Sequence, residues 1–162
     1  MKSLFFRLFL LTFGLITIQS CGGEDPDPDP PVKTVEEIAT EALTGTGSQA
    51  WGIAGGGSVL RDGVAVTDLY MEFELVLKSG SAKTYTSINN NDLFDATNTW
   101  TFSGTNFDKF MLSGVKPAAG REISFTQNND NLTLNFTITA PGARINAVSA
   151  VAGSYTFNLL KQ

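Results

Sequence analysis

From Asn131 to Thr139 the side chains alternate without a break, with Leu132, Leu134, Phe136 and Ile138 on one side and Asn131, Thr133, Asn135, Thr137 and Thr139 on the other. Successive side chains of a β-strand point to opposite faces, so this run predicts a strand with one buried and one wet face. Leu69 to Leu77 repeats the pattern, with Leu69, Met71, Phe73, Leu75 and Leu77 predicted inward and Tyr70, Glu72 and Glu74 outward. Shorter strand candidates cover Trp51–Ala54, Ser58–Arg61, Val64–Thr67, Lys83–Ser87, Asn98–Ser103, Phe107–Leu112, Arg121–Thr126 and Ser154–Lys161. Turn residues separate them: Asp62-Gly63 suits a two-residue hairpin, while Ser79-Gly80, Asn89-Asn90-Asn91-Asp92 and Asn128-Asn129-Asp130 supply longer connections.

Ahead of the strands, Thr34 stands three residues before Glu37, the spacing of a capping box. Val35, Ile38, Ala39, Ala42 and Leu43 then recur at helical spacing and Gly45 follows as a stop, which predicts one amphipathic helix of about three turns. No helical pattern follows it. The expected fold is therefore all-β: an antiparallel up-and-down meander closing as a barrel, with one short N-terminal helix, the alternative being a β-sandwich. The chain stops just after its last strand, which is well placed to pair with the first and leave no open edge.

The N-terminus carries Lys2 and Arg7 and then the uncharged apolar run Leu8–Ile18, the pattern of a signal peptide. That run is shorter than the roughly 20 residues a permanent span requires. Ile18-Gln19-Ser20-Cys21 resembles the lipobox of bacterial lipoproteins. The resemblance implies cleavage before Cys21, lipid on its sulfur and attachment to the membrane through that lipid. Cys21 is the only cysteine, so the folded part has no disulfide. Glu24-Asp25-Pro26-Asp27-Pro28-Asp29-Pro30-Pro31 follows, a solvated spacer extending about 3.1 Å per residue. Acidic residues directly behind the lipidated cysteine resemble the surface-export signal of Bacteroidota lipoproteins, which implies the outer membrane with the protein facing the medium; a generic acidic linker on a periplasm-facing protein is the alternative. The expected organisation is a signal peptide at 1–20, a lipidated linker at 21–33 and a single domain at 34–162. Asp25, Asp27, Asp29 and Glu36 fall at EF-hand spacing, but Pro30 occupies the position where that loop turns on glycine, so no calcium site is expected.

All 16 acidic residues lie after the signal peptide while two of the 11 basic ones lie within it, leaving nine bases against 16 acids and a net charge of −7. Such a surface repels phosphate backbones, so nucleic acid is excluded as a partner.

Leu43-Thr44-Gly45 leading into Trp51, then Asn98-Thr99-Trp100-Thr101-Phe102, Asn131-Leu132-Thr133-Leu134 and a closing Gly153-Ser154-Tyr155-Thr156-Phe157 give Ala42–Lys161 an order of features that resembles the lipocalin-like domain lipoproteins of Bacteroidota. The resemblance implies a lipocalin-like barrel whose interior holds a small apolar ligand. The lipocalin Gly-x-Trp opening is absent, since three residues separate Gly47 from Trp51.

The chain has no histidine, which removes Ser-His-Asp and Cys-His catalysis and histidine-ligated zinc. Ser113-Gly114-Val115-Lys116 matches a Ser-x-x-Lys motif but sits before Pro117 in a small-residue loop instead of at a helix start. Gly45-Thr46-Gly47-Ser48-Gln49-Ala50 imitates a dinucleotide fingerprint with helix and strand in the wrong order. Glu72 and Glu74 would lie about 6.6 to 6.8 Å apart along one wet strand face that also carries Tyr70; the ordinary reading is a solvated face, the sharper one a carboxylate pair on a sugar. Asn89–Asp95 reads as a polar turn, or as oxygen ligands around a hard cation. No enzyme activity, metal or cofactor is expected.

The aromatic side chains remain. Trp51, Phe73, Trp100, Phe102, Phe136 and Tyr155, with Phe125 and Phe157, either fill the barrel or line a pocket in it. Two functions follow: a tethered module binding a small apolar or amphipathic ligand in or at the mouth of the barrel, or a glycan on its rim; or a non-catalytic accessory lipoprotein with a solid barrel, acting through protein or glycan contacts.

Overall fold

The computed structural model describes residues 32–140 and 151–162. Cys21, the acidic tract and the EF-hand-like spacing lie outside the described residues, apart from Glu36.

Helix α1 (Val35–Thr44) starts with the predicted capping box: Thr34 Oγ1 accepts from the Glu37 amide at 3.2 Å and the Glu37 carboxylate accepts from the Thr34 amide at 2.7 Å. It ends where the Gly45 amide, in a residue with φ of 56°, donates to Glu41 O. Only its C-terminal end docks. Leu43 and Thr44 are buried, whereas Val35 and Ile38 stay exposed, so the apolar stripe read from the sequence is covered over one turn only.

Ten strands follow: β1 (Ser48–Gly52), β2 (Ser58–Arg61), β3 (Val64–Ala65), β4 (Glu74–Lys78), β5 (Thr84–Ile88), β6 (Thr97–Phe102), β7 (Lys109–Leu112), β8 (Glu122–Asn128), β9 (Asn131–Ile138) and β10 (Gly153–Lys161). All pairings are antiparallel, and β1, β4 and then β5 to β10 in order make an eight-stranded ring that β10 closes onto β1. The barrel predicted from the meander is therefore present. β1 and β2 share the same edge of β10: Trp51 and Gly52 face Lys161 and Leu160, and Ser58–Arg61 face Asn158–Tyr155. The sharp turn between them passes Gly57, where a Cβ would meet Asn158 O at 2.7 Å and Ile53 Cα at 2.8 Å. No other residue fits there. β3 folds back on β2 as a short hairpin outside the ring.

The alternation predicted for Asn131–Thr139 holds, with Leu132, Leu134, Phe136 and Ile138 all buried. That predicted for Leu69–Leu77 holds only from Phe73 onward. Residues Thr67–Tyr70 form a 3₁₀ turn, Leu69 and Met71 are exposed, and Tyr70 is buried. The cause is local. Thr67 turns back to β2, its Oγ1 accepting from the Val59 amide at 3.1 Å, and Glu72 takes a left-handed φ of 59° before the strand begins at Glu74. Both break the two-residue period, so the inward phase shifts by one residue ahead of Phe73.

Candidate functional site

The residues expected to line a ligand pocket come together, but they face one another. Trp51, Phe73, Trp100, Phe136 and Tyr155 are buried and Phe102 is half-buried. Tyr70 packs edge-on to Phe157 at 5.1 Å between centroids, and Phe73 lies 5.2 Å from Phe157 and 5.6 Å from Phe94. Phe136 stacks on Tyr155 at 5.3 Å and on Phe157 at 5.9 Å. A second cluster joins Trp100 to Phe102 at 5.2 Å and to Phe110 at 5.9 Å, with Phe125 beyond. These are the separations at which aromatic rings touch, so each ring occupies the space a ligand would need beside its neighbour.

The polar ends of the rings are also committed. Trp51 Nε1 donates to Leu43 O at 2.8 Å, which fixes the end of α1, and Trp100 Nε1 donates to Lys78 O at 3.1 Å. The Tyr155 hydroxyl donates to Val151 O and the Tyr85 hydroxyl to Ser113 O. Burial, with the charge of Asp95 as a second cause, pushes the Tyr85 hydroxyl up to about 12, and burial drives that of Tyr70 further above the ordinary phenol range. No buried side-chain nitrogen or oxygen among the described residues lacks a partner.

Three clefts open toward solvent, and a ring of the cluster borders two of them, Phe73 in one and Phe136 in the other. One of about 450 Å³ runs between α1 and the barrel, past Glu36, Glu41, Thr44, Ser79 and Lys83. Lys83 pairs there with Glu36 at 3.0 Å, Glu41 pairs with Lys33, and Glu37 accepts from Thr34. A second, of about 250 Å³, is lined by Glu72 and Glu74 beside Phe73, Ile88, Asn89 and Gln162, but Glu72 lies ahead of β4 with a left-handed φ, so the shared strand face expected for the pair is not formed. Tyr70 is not with them; it points into the core, so the sharper of the two readings, a carboxylate pair with Tyr70 on a sugar, is not assembled. A third, of about 420 Å³, lies on the outer wall over β7, β8 and β9.

Chain comparisons add nothing to this geometry. Against family profiles, curated proteins and solved structures, the chain shows no match.

Asn89–Asp95 is a structural turn. Asp95 Oδ2 accepts from the amides of Val115 and Lys116 at 3.0 Å each, and Asp92 pairs with Lys116 Nζ at 2.8 Å, which lowers its pKa below the usual carboxylate value. A Cβ on Gly114 would meet Asp95 Oδ2 at 1.9 Å, so the loop after β7 depends on glycine there. Both carboxylates hold that loop, and no group of three or more Asp, Glu, Cys or His side chains placed to hold a metal occurs among the described residues. Ser113 sits in the same loop, its Oγ accepting from Thr99 Oγ1, and begins no helix. Likewise, no helix among the described residues is long and apolar enough to cross a membrane.

Besides Tyr70, an interior pair escaped the sequence reading. Leu93 and Phe94 lie inside the run taken for a polar turn, yet both are fully buried and Phe94 touches Phe73, Phe136 and Phe157. Their signal was an apolar pair within a polar tract, too short to carry a period.

Proposed function

We propose that this chain is a lipid-tethered, surface-exposed envelope protein without catalytic activity, which works as a binding module through the outer face of a filled barrel. The observation that carries this reading is the ring cluster: Phe73, Phe94, Phe136, Tyr155 and Phe157 contact one another where a lipocalin-like cup would hold its ligand. Opening a cavity there would strip those contacts from several large side chains at once, at a cost of about 3 to 5 kcal/mol for each ring lost. The tether rests on the signal peptide and on the lipobox-like Ile18–Cys21, and surface exposure on the acidic residues behind it.

Intrinsic fluorescence tests the filled barrel. Trp51 and Trp100 are the only tryptophans and both are buried. A panel of fatty acids, sterols and aromatic metabolites should leave their emission unchanged. A saturable change that disappears with Trp51→Phe or Trp100→Phe would return the ligand to the interior and replace this reading.

A further inference from the structure

β8 and β9 leave their turn as a regular hairpin, paired from Asn128 opposite Asn131 to Ser124 opposite Asn135, and part at that point. Neither strand has ended. Among the described residues, Glu122 and Ile123 continue β8 paired with β7 alone, and Phe136, Thr137 and Ile138 continue β9 paired with β10 alone. Antiparallel strands direct successive N–H and C=O groups alternately to their two sides, so these unpaired edges leave backbone donors and acceptors facing the gap. The trough of about 420 Å³ on the outer wall lies over this parting.

The side chains around it are unevenly satisfied. Glu122 is held by Lys109 Nζ at 3.2 Å and by Ser103 Oγ at 2.7 Å, and those two bonds keep its carboxyl below the usual carboxylate range. Arg121 is part-buried, and its guanidinium has no partner among the described residues. Asn135 Oδ1 accepts from Thr156 Oγ1, which leaves the amide N–H₂ unengaged. With Lys109 and Glu122 cancelling, the trough carries one uncompensated positive charge on a chain that is otherwise acidic.

From this arrangement we infer that the trough binds a carboxylate-bearing saccharide, the carboxylate engaging Arg121 and the ring hydroxyls engaging Asn135, Ser124, Thr137 and the open strand edges. A planar guanidinium fork matches a carboxylate through two parallel hydrogen bonds. A hydroxyl-rich body suits the remainder, because the lining is hydroxyl, amide and backbone. An acidic peptide fits less well: strand addition draws its specificity from pockets for alternate side chains, and the only apolar side chain lining the trough among the described residues is Phe136, 5% exposed. The inference rests on the proposal that the module works through its outer face, and it names the ligand class for that face.

The test is calorimetric titration of the full chain in detergent micelles with a tetrasaccharide of a uronic-acid polymer, its carboxyl-reduced counterpart, sodium acetate and tetraglutamate. The acidic saccharide should bind saturably. Arg121→Gln and carboxyl reduction should each weaken binding about tenfold or more, as loss of a charge-assisted bidentate pair does. Asn135→Ala should weaken it several-fold, and Lys161→Gln, on an exposed cation elsewhere, should leave it unchanged. Circular dichroism establishes that each variant is folded. Binding that ignores Arg121→Gln, equal binding of the reduced saccharide, acetate or tetraglutamate, or no binding by folded protein would each overturn the inference. The fluorescence test fails independently: an apolar ligand inside the barrel would sink the filled-module reading, whatever the trough does.

Discussion

Trp51 stands opposite Lys161, and this pairing with its neighbour Gly52–Leu160 is the whole of the ladder between the first and last strands of the ring. Three further hydrogen bonds secure the seam: Gln162 N to Ala50 O, Gln162 Nε2 to Ala54 O and Gln49 Nε2 to Gln162 O. At about 1 kcal/mol each, deletion of Lys161 and Gln162 should cost roughly 2 to 3 kcal/mol, a large share of a typical 5 to 15. Urea unfolding checks this, and an unchanged midpoint would mean that the seam is held elsewhere.

Charge on the inward face should abolish folding, while charge on the outward face should be tolerated. Phe136→Asp and Phe73→Asp each bury an unpaired carboxylate among aromatic rings, at a cost of several kcal/mol. Thr137→Asp and Glu72→Lys should leave circular dichroism and the unfolding midpoint nearly unchanged. Leu69→Asp belongs with the tolerated group, because Leu69 is 57% exposed.

That last variant marks where the sequence stopped being informative. Strand β9 could be read because its period is unbroken and one full face is buried. Around Thr67–Glu72 the period continues on paper, but a hydroxyl from Thr67 to β2 and one left-handed residue redirect the chain, and neither leaves a mark in hydrophobic spacing. Closure of the ring followed from a run of short strands with no α-helix between them. The filling of its interior did not, since alternation places Trp51, Phe73, Trp100, Phe136 and Tyr155 inward without saying whether they meet. The parting of β8 from β9 was beyond reach for the same reason: each strand alternates normally, and only their relative course opens the trough.

The tether makes a separate prediction. Cys21→Ala should end palmitate labelling and release the protein from the membrane fraction, and alanines at Glu24, Asp25, Asp27 and Asp29 should reduce digestion by external protease in intact cells. Membrane retention of the first variant would refute lipidation. Equal digestion of the second variant and the native chain would refute the export signal.

The capping box should be acid-labile. Hydrogen bonds from the Thr34 amide and hydroxyl lower the pKa of Glu37 from 4.5, so the cap stabilises α1 above that pH and weakens as the pH falls through the lowered value. Because only Leu43 and Thr44 of α1 are buried, the loss should appear as local fraying. Thr34→Ala should raise amide exchange at Glu37 and Ile38 several-fold near neutrality, and the difference from the native chain should shrink below pH 4.5. A difference that persists in acid would mean that the carboxylate plays no part.

At the alkaline end the buried phenols should govern stability. In the unfolded chain Tyr85 ionises near 10.0, whereas in the barrel burial and then the charge of Asp95 push it up to about 12, and the hydroxyl is held on Ser113 O at 2.9 Å. The folded state therefore keeps a proton that the unfolded state has released. Stability from this group is complete below pH 10 and declines as the pH rises from 10 to 12. Tyr70, raised in the same sense by burial, extends the decline. Tyr85→Phe removes the titrating group and loses one hydrogen bond, so the variant should be less stable than the native chain at pH 8 and lose less stability between pH 10 and 12. Melting temperatures across that range, read beside tyrosinate absorbance, test the sign directly: parallel curves for the two proteins would mean that the Tyr85 hydroxyl does not hold its proton more firmly in the folded state than in the unfolded one.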